Sequence, residues 1–192
     1  KISKTYSTIL GLTDDKDLFD LKEPLRDLAH IEGTPSYLLI LYLIENKNKL
    51  KLANTHLVDT TKFLVNFFVR RNLTDRPATN SLTPLFIKII DEIDGLTADS
   101  VVYKIKKELV SLSSNDREFL EFLKGPIYSE RSGVARFILC SIEEQEWPSK
   151  VPIDVWALNE YGRFIWTIEH ILPQGDNIPS CWVDMIAGGD KA

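Results

Sequence analysis

Eight consecutive apolar residues, Tyr37, Leu38, Leu39, Ile40, Leu41, Tyr42, Leu43 and Ile44, constrain the fold more than any other stretch of the chain. Thr34 ahead of them suits a helix cap and Pro35 the first helical position, so the spacing predicts a helix over 36–46. A helix that is apolar on every side has to be surrounded by other elements. This one is expected to be the central, buried core of a helical domain.

The residues around it supply the surrounding helices. A helix over 1–12 is closed by Gly11, and Thr13 then caps a second, with Asp14, Asp15 and Asp17 in its first turn, running to Glu32 before Gly33. Pro24 splits or kinks that span, because proline has no N–H to give the helix. Asn54 or Thr55 opens a long amphipathic helix whose buried stripe is Leu57, Thr61, Leu64, Val65 and Phe68. Ser81 or Thr83 begins the next, ended by Gly95, and Thr97 caps another over 98–112. Ser113 and Asp116 form a capping box for a short helix through Lys124, broken by Gly125-Pro126. The last, over 130–145, carries Val134, Phe137, Ile138 and Ile142 on one face and stops at Trp147-Pro148. This pattern predicts a mainly α fold, a multi-helix bundle over 1–148.

Beyond Pro148 the character changes. Val151 to Trp156 and Phe164 to Ile168 are rich in β-branched and aromatic residues, and Asn159-Glu160-Tyr161-Gly162 between them is turn chemistry. A short α+β segment over 149–192 is expected, with a further short helix near 178–187. Three of the four tryptophans lie in it, better suited to packing than to base stacking.

Within that segment the string Trp166-Thr167-Ile168-Glu169-His170-Ile171-Leu172-Pro173-Gln174 alternates like a half-buried strand. Trp166, Ile168 and His170 share one face, Thr167, Glu169 and Ile171 the other, and Pro173 ends the ladder. An adjacent acid and imidazole have a chemical logic: a carboxylate is a hard ligand for a divalent ion, and histidine takes a proton near neutral pH. Phosphodiester hydrolysis uses both, the metal at the scissile phosphate and the base on the attacking water. The bland alternative is a hydrogen-bonded structural histidine on an ordinary strand.

The string Ile168 to Gln174 resembles the first motif of the HNH (His-Me finger, ββα-metal) nucleases, and more narrowly the C-terminal nuclease domain of the GmrSD-type modification-dependent restriction endonucleases. Trp182 falls where these proteins often carry a tryptophan, and Phe67 to Arg71 and Tyr128 to Glu143 are similar to the helical region preceding their nuclease. The resemblance implies that Glu169 is the metal ligand, for Mg2+ or a similar ion, and His170 the general base. It also implies modified phage DNA as substrate and an N-terminal nucleotide-hydrolysing domain as partner. The chain has no GxxxxGK[ST] loop of its own. The family's finger adds a second strand and a helix with a further Asn or His ligand. Here Asn177 is too close to the motif for that role and no histidine follows, so the metal site is expected to be half built.

Charge bears on the DNA reading. The net charge of −5 argues against a chain that binds nucleic acid over its whole surface, although local patches remain open. Arg70 and Arg71 at a helix end, Arg76 beyond the turn, and Gln174 are the candidate DNA contacts. For the arginines the alternative is favourable placement against the helix dipole, which has the greater weight. Arg131 and Arg136 have a similar alternative, clasping acids such as Glu130 or Glu143. Asp176 and Asp184 are candidate accessory carboxylates, with solvated surface acids as the default.

Neither a membrane span nor a signal-peptide pattern is present, and Cys140 and Cys181 form no CxxC unit, which fits a reducing cytoplasm. His30, His56 and His170 show no zinc spacing. The competing reading of the whole chain is a helical interaction or scaffold module without catalytic activity.

Overall fold

A computed structural model of the chain describes residues 2–146, 153–168 and 178–186, and divides it into two compact units, Lys1–Glu144 and Gln145–Ala192. The first unit is all helix. Its elements are α1 (Ile2–Ile9), α2 (Lys22–His30), α3 (Tyr37–Glu45), α4 (Asn54–Thr74), α5 (Thr79–Glu92), α6 (Asp99–Leu112), α7 (Asp116–Leu123), α8 (Ile127–Glu130) and α9 (Ser132–Glu146). The mainly α fold is therefore as expected.

The centre of the unit is α4 rather than α3. This 21-residue helix packs against α2, α3, α6 and α7, whereas α3 meets α1, α4 and α5. Tyr37, Leu39, Ile40 and Leu43 are buried as expected, but Leu38 is 45% exposed and Leu41, Tyr42 and Ile44 are half-buried. Three neighbours do not enclose a helix, so one side of α3 faces outward. On α4 the expected stripe of Leu57, Thr61, Leu64, Val65 and Phe68 is buried throughout, and Phe67 and Leu73 extend it. The Phe68 ring stacks on Phe86 of α5 at 6.3 Å and meets the edge of Phe67 at 5.3 Å. Buried hydroxyls are satisfied locally, Thr61 donating to the Leu57 carbonyl and Thr74 to that of Arg70.

Helix ends follow the local chemistry with several departures: α5 begins at Thr79 rather than at Ser81 or Thr83, and Ala98 rather than Thr97 is the N-cap of α6. Thr13 is not the cap after Gly11, whose φ is +71°; Asp15 is, accepting the Asp17 N–H at 3.0 Å. A 3-10 turn over Lys16–Leu21 then precedes α2, so the span expected to be split by Pro24 is split, and Pro24 sits in the first turn of α2, where no N–H is required. Thr34 does not cap α3: Thr34–Ser36 is a 3-10 turn entered from Gly33, and the Ser36 hydroxyl donates to the Gly33 carbonyl. Ser113 does not cap α7, because its hydroxyl donates back to Leu109 at the end of α6. Asn115 takes the role, accepting the Glu118 N–H at 2.9 Å.

The N-termini of α4 and α6 are tied by one histidine. The Ala53 N–H donates to His56 Nδ1 at 2.8 Å, which leaves the proton on Nε2 to reach Asp99 Oδ1 at 3.1 Å. Beside it Ala98 has φ +47° and ψ −124°, a region that a Cβ disfavours, and its N–H is held by the Leu50 carbonyl at 2.8 Å. Ala98→Gly relieves that strain at the cost of extra freedom in the unfolded chain. A net gain of about 1 kcal/mol is expected in urea unfolding, and a loss would show that Ala98 is not strained.

On α9 the buried face is Val134, Ala135, Phe137 and Cys140, with Ile138 half-buried. Ile142, expected on that face, is 55% exposed. The buried residues mark a stripe that passes to one side of position 142.

In the second unit the expected turn is present. Asn159 Oδ1 accepts the N–H groups of Tyr161 and Arg163, and Gly162 has φ +72°. The flanking segments pair only at Leu158 and Phe164, with the Ile165 N–H on the Ala157 carbonyl and the Asn159 N–H on that of Arg163. The expected strands are thus reduced, among the described residues, to one antiparallel bridge, since a lone pair of strands is marginal in water. Trp156 meets the edge of Phe164 at 6.1 Å, packing within the hairpin. The expected short helix is α10 (Ser180–Ile186). Among the described residues, no helix is long and apolar enough to cross a membrane.

Candidate functional site

Glu169, His170, Pro173 and Gln174 lie outside the described residues, as do Asp176 and Asn177. The described backbone before them bridges at Phe164, bends at Ile165 and Trp166, and runs irregularly to Ile168. Among the described residues no group of three or more His, Cys, Asp or Glu side chains could hold a metal. His56 has both ring nitrogens engaged in tying α4 to α6. Asp184 is exposed on α10.

The three candidate arginines all make bonds within the helical unit. Arg70 donates to the Ser114 carbonyl at 3.1 Å and to Asp116 at 2.7 Å, and its guanidinium lies 4.7 Å from the centre of the Phe119 ring. Arg71 donates through Nε to the Pro77 carbonyl, and through its terminal nitrogens to Asn72 and Thr79, pinning the turn between α4 and α5. Arg76 reaches Glu118 at 3.3 Å and is otherwise largely exposed. Arg131 pairs with Asp75, which ends α4 at φ +54°, and also donates to the Glu130 carbonyl. Their placement at the end of α4 serves first to anchor α5, α7 and the start of α9.

A second charge cluster was not apparent from spacing alone. Lys88 and Glu92 on α5 and Lys104 and Glu108 on α6 form a closed ring with contacts of 2.9 to 3.6 Å. Hydrogen bonds from Lys88 and Lys104 hold the Glu108 carboxyl below its ordinary value of 4.5. Hydrogen bonds to the glutamates raise both lysines above 10.5. A depressed carboxylate contributes stability that is complete above its unfolded pKa and is lost as pH falls through the folded value. The raised lysines contribute below 10.5 and lose it as pH climbs through their folded values. Glu108→Gln is therefore expected to lower Tm by about 2–4 °C at pH 7 and to have little effect at a pH where Glu108 is already protonated. An equal loss at both pH values would show that the ring's charge does not matter.

Sequence reading also missed a groove. α4 and α6 run parallel, as the contacts His56 with Asp99, Phe63 with Lys106 and Arg70 with Ser114 show. At the far end lies a cavity of about 480 Å3 lined by Phe63, Asn66, Phe67 and Arg70 of α4, by Val110 of α6 and by Ser113 just beyond it, closed by the turn into α7. Positions 63, 66, 67 and 70 have helical spacing, which marks a second face of α4; periodicity could not say what that face meets. No protein-family model, curated protein or solved structure matches the chain.

Proposed function

We propose that the chain is part of a metal-dependent DNA endonuclease that hydrolyses phosphodiester bonds in modified foreign DNA, with the helical unit as connector and Glu169-His170 in the nuclease segment. The observation that carries this reading is the string Ile168 to Gln174 itself, which follows the Leu158/Phe164 bridge in the sequence. The donor set fits a hard ion: Glu169 offers carboxylate oxygens for Mg2+. When bound, the ion supplies positive charge at the scissile phosphate and the leaving oxygen. His170 as neutral imidazole takes the proton of the attacking water, and a hydrogen bond to its other nitrogen would fix the tautomer that does so. Gln174 is a candidate contact to the same DNA. The parent protein would work in the cytoplasm with an N-terminal nucleotide-hydrolysing partner domain.

A second reading, a helical scaffold without catalysis, is favoured by the internal engagement of Arg70, Arg71 and Arg76 together with the net charge of −5. Mg2+-dependent cleavage of modified and unmodified plasmid by the full-length protein separates the two. The nuclease reading expects cleavage that Glu169→Ala and His170→Ala both remove while the helical far-UV spectrum is retained. Cleavage indifferent to both substitutions, or none with any divalent ion and nucleotide, leaves the scaffold.

A further inference from the structure

The cavity at the end of the α4–α6 groove has a composition that narrows its ligand. Its apolar side is the half-buried Phe63 ring and Val110, the latter 61% exposed, with Phe67 buried behind them. Its polar groups divide into spent and free. Arg70 is spent on Ser114 and Asp116, and this paired guanidinium stiffens the floor and leaves it without unbalanced charge. The Ser113 proton goes to Leu109, so its oxygen can still accept. Asn115 uses its side-chain oxygen to cap α7, and its NH2 has no acceptor among the described residues. The Asn66 carboxamide makes no hydrogen bond among the described residues, on either its donor or its acceptor side.

An apolar wall beside planar amide donors and acceptors suits a flat, uncharged group with hydrogen-bonding edges. A phosphate or carboxylate would find no uncommitted cation inside, and a purely aliphatic group would leave the Asn66 and Asn115 amides unpaired. A nucleobase meets both demands, since a carboxamide matches the donor–acceptor edge of a base and the half-buried Phe63 ring can meet its face. The volume lies within the range of small-ligand sites. One turn along the groove, Lys106 lies 5.5 Å from the centre of the Phe63 ring, and Lys62 is exposed on the same helix as Asn66, so these cations stand outside the cavity, whose own cation, Arg70, is paired with Asp116.

We propose that this cavity takes one base of a single-stranded DNA segment, with the adjoining phosphate at Lys106. The choice of DNA rests on the endonuclease reading above; the base-binding chemistry does not.

The test is fluorescence anisotropy of a short, mixed-sequence, fluorescein-labelled single-stranded DNA with the full-length protein, without divalent metal, so that no cleavage enters the readout. Asn66 is exposed, and Asn66→Leu keeps the helix, which circular dichroism verifies. Binding about fivefold to tenfold weaker in Asn66→Leu is expected. Lys106→Ala is expected to reduce the salt dependence by about the contribution of one phosphate. Unchanged affinity in Asn66→Leu overturns the proposal, as does a blunt duplex of the same sequence that binds as tightly and loses as much. Asn66-dependent binding without plasmid cleavage would therefore sink the nuclease reading alone, and cleavage with Asn66-independent binding would sink this one alone.

Discussion

On the proposed nuclease reading, replacing His170 by alanine in the full-length protein is expected to lower Mg2+-dependent plasmid cleavage by roughly 100- to 10,000-fold, the range for loss of a general base. The reason is chemical. Water is a poor nucleophile until deprotonated, and an imidazole with an ordinary pKa of about 6.5 is largely neutral and proton-accepting at pH 7.5. His170→Ala should retain DNA binding, because the loss falls on the chemical step and not on affinity. A variant that cleaves within threefold of wild type would remove His170 from the mechanism, and with it the central support of the nuclease assignment.

Phe68→Ala is expected to cost about 3–5 kcal/mol of unfolding free energy, the largest stability effect of any single change considered. Phe68 is 1% exposed in the C-terminal half of the central helix, and its ring stacks on Phe86, itself fully buried. Truncation removes the transfer energy of the ring and leaves a void between α4 and α5 that stiff neighbours fill poorly. All four tryptophans lie at position 147 or beyond, so urea unfolding of the helical unit is best followed by circular dichroism at the helical band. Phe19→Ala is the matched control. Phe19 is 72% exposed and its loss is expected to change stability by less than about 0.5 kcal/mol. A Phe68→Ala loss below about 1 kcal/mol would contradict the placement of α4 at the centre of the bundle.

The location of Phe68 shows how far sequence reasoning reached. The stripe Leu57, Thr61, Leu64, Val65 and Phe68 identified one buried face of α4 from spacing alone, and the structure buries every member. Spacing cannot reveal that a helix is covered on more than one side when polar residues such as Thr60, Asn66 and Arg70 interrupt the pattern. It therefore assigned the centre to α3, the most apolar run, whose side at Leu38 remains open. Capping positions shifted for a similar reason. Thr13, Thr34 and Ser113 have suitable side chains, but Asp15, Ser36 and Asn115 are the ones that local backbone geometry brings to the relevant N–H or carbonyl.

The candidate chemistry divides along the same line. Glu169 and His170 stand out in sequence because adjacency on an alternating run is itself the signal, and the turn at Asn159 to Gly162 was readable from its residue types. By contrast, the two roles open to Arg70, Arg71 and Arg76 looked alike in sequence, since a cation at a helix end serves a dipole or a phosphate equally well. Only the fold brings Asp116, Thr79 and Glu118 to within 2.6 to 3.3 Å of them.

By itself, then, the order of residues determined the helical class, most helix spans, the hairpin turn and the Glu169-His170 pair, because each depends on neighbours within a few positions. Tertiary structure decided which helix is central, where the arginines are anchored, and that Lys88, Glu92, Lys104 and Glu108 close into a ring. It also decided that Phe63, Asn66, Val110 and Ser113 share a cavity. Each of these joins residues far apart in the chain, and their meeting is set by the packing of whole helices, which no local periodicity encodes.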